Sequence, residues 1–82
     1  MNERVLNILS MCLQATKKGH HVFFDYSGHT EGVNFRAYKG GRKNGKECDI
    51  YLTFYIDEFF GSDAENLARI DTVEAYLKGL IA

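Results

Sequence analysis

The chain has no proline, so its turns must be made by other residues, and its eight glycines are suited to that role. No apolar stretch approaches the roughly 20 residues that a membrane-spanning helix needs. There is no strong charge of either sign. At a formal net charge of −1 the chain carries no global field that would gather nucleic acid or acidic lipid. Cysteine is also scarce. Two thiols cannot form a disulfide framework, and residues 1–14 place Glu3 and Arg4 inside a helical pattern instead of showing a basic segment followed by an apolar run. A protein without a secretory signal, with reduced thiols and a cytoplasmic location, is therefore expected. Internal repeats, linkers and low-complexity segments are lacking too, which leaves one domain over residues 1–82.

Within that length, 45% hydrophobic and 26% charged residues describe a folded globular chain. A domain this small buries only about 60–65% of its unfolded surface, so each apolar position counts. Residues 3–18 carry helical periodicity. At 100° per residue, Val5, Leu6, Ile8, Leu9, Cys12 and Leu13 cluster on one side, with Glu3, Asn7, Ser10, Gln14 and Lys17 on the other. Asn2 suits the cap, Lys17 and Lys18 suit the negative helix end, and Gly19 suits a left-handed stop.

Residues 20–27 and 33–39 read as strands, with Val22, Phe24 and Tyr26, then Val33, Phe35 and Ala37, facing inward. Gly28 and Gly32 are the candidates for positive φ in the first turn, and Asn44-Gly45 marks the second. The stretch ECDIYLTFYID, residues 47–57, alternates throughout: Cys48, Ile50, Leu52, Phe54 and Ile56 on one face, Asp49, Tyr51, Thr53, Tyr55 and Asp57 on the other. A second helix is predicted from Asp63 to Leu80, opened by a Ser62/Glu65 capping box. Its apolar stripe comprises Leu67, Ile70, Val73, Leu77, Leu80 and Ile81, and Glu65–Arg69 and Glu74–Lys78 are spaced for ion pairs. Ala64, Ala68, Ala75 and Gly79 make its other side smooth. The expected fold is a two-layer α+β domain of order α-β-β-β-α, an antiparallel meander with both helices on one face.

That arrangement leaves one sheet face without helices, and its predicted residues are unusual for a solvated surface. Phe23, Arg36, Tyr38, Tyr51 and Tyr55 share it with Asp25, Asn34 and Thr53. Tyrosine and arginine are enriched at interfaces, so this face is the candidate site for a protein partner or a second copy, a homodimer being the simplest assembly. The competing explanation is that tyrosine and threonine are good strand formers. Lys39, Arg42, Lys43 and Lys46 make the second turn basic and offer contacts to phosphate or an acidic partner, although the phosphate-loop spacing is lacking; solvated hairpin lysines serve solubility equally well.

His20, His21 and His29 lie near Asp25 and Glu31, but their spacing matches no metal site. Cys12 and Cys48 sit on core faces, Ser27 and His29 lack a nucleophile elbow, and of the acids leading into the second helix Asp63 and Glu65 suit its dipole while Asp57 and Glu58 serve solubility. No catalytic set emerges, and neither a cofactor nor a metal is expected.

The element order resembles that of double-stranded-RNA-binding domains. That family reads RNA with a Gly-Pro-x-His turn and a basic Lys-Lys-x-Ala-Lys helix start. Here the turn is Gly28-His29 without proline, and the helix start is the acidic Ser62-Asp63-Ala64-Glu65-Asn66, so no RNA-binding residue carries over. Residues 21–38, HVFFDYSGHTEGVNFRAY, resemble a stretch of small uncharacterised proteins encoded by phages and prophages of Gram-positive bacteria, which implies a cytoplasmic accessory protein. The function expected is a non-enzymatic protein-interaction module working through the aromatic sheet face. The alternative is a nucleic-acid-binding domain using that face and the basic turn.

Overall fold

An apolar helix stripe and an apolar strand row are both satisfied when one covers the other. The chain does this in the order α1 (Asn2–Lys17), β1 (His21–Ser27), β2 (Gly32–Tyr38), β3 (Ile50–Tyr55) and α2 (Ala64–Ile81). The computed structural model describes residues 2–41, 47–57 and 63–82. The strands form one antiparallel sheet in the order β1-β2-β3. Helix α1 packs on β1, α2 packs on β3, and the two helices pack against each other, which gives the two-layer α+β meander.

The register sorts the side chains in the expected way. Val22, Ala37 and Ile50 share one row of the helix-facing side, followed by Phe24, Phe35 and Leu52, then Tyr26, Val33 and Phe54. Phe35, Phe54 and Val33 are fully buried there with Ile8 and Ala15 of α1 and Ile70, Val73 and Leu77 of α2. Phe24 meets Phe54 edge-on, with centroids 6.3 Å apart. Tyr26 departs from expectation: it lies on the inward side yet is 52% exposed.

Helix α1 begins at Asn2 itself, so the expected cap is the first helical residue. It ends as predicted at Gly19, whose φ is +93°. The Gly19 amide donates to the Thr16 carbonyl at 3.0 Å and the His20 amide to the Ala15 carbonyl at 3.2 Å, the paired bonds of a Schellman stop. The buried face of α1 is rotated from the one read in the sequence. Ile8, Met11, Cys12 and Ala15 are buried, whereas Leu6, Leu9 and Leu13 are 62%, 36% and 68% exposed. Apolar side chains from Met11 round to Leu6 span more than half of the helix circumference at about 100° per residue, more than one sheet and one neighbouring helix cover.

Strand β3 is shorter than the alternation suggested, beginning at Ile50 although β2 runs on to Tyr38. Beyond the Ala37–Ile50 pair, the Asp49 amide still donates to the Ala37 carbonyl at 2.9 Å, while the Asp49 carboxylate accepts from the Lys39 amide at 2.6 Å. In the first turn, positive φ falls on Glu31 (+53°), not on Gly28 or Gly32. Gly32 serves another purpose: a Cβ there would lie 3.1 Å from the Tyr55 ring, its cross-strand partner. Asn44 and Gly45 lie outside the described residues.

Helix α2 is capped by Asp63, whose carboxylate accepts from the Glu65 amide at 2.9 Å; Ser62 lies outside the described residues. The expected ion pairs within α2 are replaced by longer-range contacts. Glu74 and Asp71 both bind Arg4 of α1, tying the helices together, and Arg69 donates to the Thr53 carbonyl at 3.2 Å. Hydrogen bonding to Asp71 holds the Arg4 guanidinium further above its already high range, against the opposing effect of partial desolvation. Among the described residues, no helix is long and apolar enough to cross a membrane.

Candidate functional site

Both helices sit on one side of the sheet, and the opposite side carries four cross-strand rows. His21 pairs with Tyr38; Phe23, Arg36 and Tyr51 form the next row; Asp25, Asn34 and Thr53 the third; Ser27, Gly32 and Tyr55 the last. All five aromatic and cationic residues singled out in the sequence, Phe23, Arg36, Tyr38, Tyr51 and Tyr55, therefore occupy one surface. The parity of each strand put them there, and the pairing made them neighbours.

Their exposures differ. Tyr51 is the most open, at 58%, while Tyr38 is only 7% exposed and forms the floor of the patch. Phe23 meets Tyr38 edge-on at 6.0 Å and 83°, and the Arg36 guanidinium lies 4.5 Å from the centre of the Phe23 ring. The Arg36 Nε is buried and has no hydrogen-bond partner among the described residues. The guanidinium is held over the ring by cation–π attraction and packing. Tyr55 is half-buried because its ring lies over Gly32, and between Tyr51 and Tyr55 the Thr53 hydroxyl donates to the Asn34 amide oxygen at 2.8 Å.

The basic turn is represented by Lys39, whose side chain is exposed beside the Asp49-bound amide; Arg42, Lys43 and Lys46 lie outside the described residues. The histidines do not converge. His20 Nδ1 accepts from the Gly40 amide at 2.9 Å, His21 stands on the outer face, and His29 is exposed in the turn. Among the described residues, no group of three or more His, Cys, Asp or Glu side chains is arranged to hold a metal ion. Cys12 is buried, and desolvation pushes its thiol up to about 11, which keeps it protonated and unreactive at neutral pH. Cys48 is half-buried just ahead of β3. Of the acidic residues, Asp63 is committed to the helix cap and Glu58 lies outside the described residues.

The sequence reading missed the contact that closes the β3 side. Asn66 is buried at the N-terminal end of the α2 stripe; its Oδ1 accepts from the Tyr55 amide at 2.7 Å and its Nδ2 donates to the Tyr55 carbonyl at 2.8 Å. The side-chain amide thus replaces a neighbouring strand. A polar residue four positions before Ile70, on the same helical face, was the available signal. A cleft of about 190 Å³, lined by Tyr55, Asp63, Glu65, Asn66 and Arg69, lies where α2 meets this edge. Its Asn66, Arg69 and Asp63 groups already make structural bonds, to Tyr55, Thr53 and Glu65 respectively.

No protein-family model matches the chain, and neither a curated protein nor a solved structure matches it.

Proposed function

We propose that the chain is a small non-enzymatic interaction module, a cytoplasmic accessory protein of phage or prophage type, that presents its helix-free sheet face to a protein partner. The observation that carries this reading is the Phe23–Arg36–Tyr51 row: a guanidinium stacked on one aromatic ring, with an open tyrosine on its other side. Rigid aromatic side chains lose little rotamer freedom on binding, and aromatic and arginine side chains dominate interface energetics. The face is close to neutral, with Arg36 set against Asp25, which favours a protein surface over a polyphosphate.

Affinity capture from host extract tests the proposal. A specific partner should be retained by the wild type and by a Lys17→Glu control on α1, and lost with Tyr51→Glu or Arg36→Glu at unchanged circular dichroism. Retention indifferent to Tyr51 and Arg36 would refute it. Binding of single-stranded or duplex oligonucleotides that weakens steeply with salt would replace it with the nucleic-acid reading, in which Lys39, Arg42, Lys43 and Lys46 supplement the face.

A further inference from the structure

The two edges of the sheet are treated differently. Tyr55 and Thr53 turn backbone groups outward from β3, and Asn66 and Arg69 of α2 occupy them. On the other edge, β2 gives its Glu31 and Ala37 carbonyls to the β3 side, which places Gly32, Asn34, Arg36 and Tyr38 in hydrogen-bonded pairs with β1. The amides and carbonyls of Val22, Phe24 and Tyr26 therefore point away from the sheet, and no strand among the described residues pairs with them. Asp25 is the only acid or base in the second half of β1, and proline and lysine, the residues that protect edges, are absent from the strand.

The exposed leucines of α1 stand above this open edge. Arg4 reaches Asp71 and Glu74, which marks the side of α1 that faces α2. At about 100° per residue, Leu6, Leu9 and Leu13 lie roughly 140–200° round the helix from Arg4. They point away from α2, past β1. With Tyr26 below them they expose roughly 400 Å², about half of what each partner contributes to a standard interface.

We infer that two copies of the chain associate about a two-fold axis through this edge. Strand β1 pairs antiparallel with itself, centred on Phe24, and the α1 leucines pack against their counterparts above. Two three-stranded sheets become one of six strands.

Three features select a second copy as the occupant. The outward backbone groups are symmetric about Phe24, so Phe24 meets Phe24 and Val22 meets Tyr26, each in a hydrogen-bonded pair. Both layers share one axis. Along β1 the step from His21 to Phe24 is about 10 Å, and along α1 the step from Lys17 back to the middle of the leucine stripe is about 11 Å, so the centres lie level. The charges also complement. Antiparallel α1 helices bring Glu3 of one copy to Lys17 of the other, and the strand pairing sets Asp25 opposite Phe23 of the second copy, beside the guanidinium stacked on that ring.

Sedimentation equilibrium at about 0.5 mM is expected to show a dimer, weakened about a hundredfold or more by Leu6→Lys with Leu13→Lys. Both positions are exposed in the monomer, so circular dichroism should not change, and Leu6→Gln with Leu13→Gln provides a milder pair should the lysines perturb folding. Amide exchange should slow at Val22, Phe24 and Tyr26 as concentration rises. A monomeric wild type, a dimer indifferent to both leucine pairs, or a dimer with unprotected β1 amides would each overturn the inference. So would a dimer broken by Tyr51→Glu, since that places self-association on the outer face. The inference does not depend on the proposed partner surface, and loss of partner binding with the dimer intact separates the two.

Discussion

Replacing Asn66 by alanine removes both hydrogen bonds to Tyr55 and leaves the amide and carbonyl at the end of β3 without their partner. A net contribution of about 1 kcal/mol per bond, plus part of the cost of leaving those groups incompletely solvated, predicts a loss of about 2–3 kcal/mol. That is a large share of the roughly 4–12 kcal/mol expected for a domain of this length. Urea denaturation followed by circular dichroism should show the midpoint falling by about 2 M at an m-value near 1 kcal/mol/M. Asn66→Asp sharpens the test. It retains the acceptor for the Tyr55 amide but turns a carboxylate oxygen towards the Tyr55 carbonyl, so at pH 7 it should be less stable than Asn66→Ala. The folded state then binds the new carboxyl's proton more tightly than the unfolded state does. The lost stability should return on acidification, as the protonated group donates where Nδ2 did. A cost below about 0.5 kcal/mol for Asn66→Ala, or an Asn66→Asp protein as stable as the wild type at pH 7, would refute the role assigned to this side chain.

Burial of the Cys12 thiol raises it from an ordinary 9.0 to about 11, so the folded state favours the protonated form. Its contribution is complete below pH 9 and is lost as pH rises towards 11; the stability advantage of the wild type over Cys12→Ala should shrink across that window by about 2 kcal/mol, and an unchanged difference would contradict the burial argument. Gly32→Ala places a methyl group 3.1 Å from the Tyr55 ring and the Thr30 hydroxyl. It should cost about 1 kcal/mol by thermal or urea unfolding, and the cost should shrink in a Tyr55→Ala background, where only the Thr30 contact remains; stabilisation by Gly32→Ala alone would show that the ring is not held over the glycine.

Periodicity carried most of the fold. Period-2 alternation in β3 and period-3.6 stripes in both helices each constrain one face of one element, and a layered domain follows because those faces must cover one another. Parity alone placed Phe23, Arg36, Tyr38, Tyr51 and Tyr55 on the helix-free side. Side-chain geometry was less legible. The burial of Tyr38 depends on the Phe23 ring reaching it diagonally from the neighbouring strand, and the stacking of Arg36 depends on register. The intrahelical pairs expected for Glu74 and Arg69 gave way to partners on α1 and β3, because a charged side chain selects among all groups within reach, including those distant in sequence.

The amino-acid sequence by itself determined the element order, the faces of the strands and the presence of an aromatic row on an uncovered sheet surface, since these depend on local repeats. Only the tertiary structure decided which part of the wide apolar arc of α1 is buried. Docking against β1 and the Arg4 link to α2 rotate the helix so that Ile8 and Ala15 turn inward and three leucines turn out. It also decided that one sheet edge is closed by Asn66 while the other stays open. Both outcomes depend on how far apart the elements stand and on which side chains can bridge them, distances that no local pattern encodes.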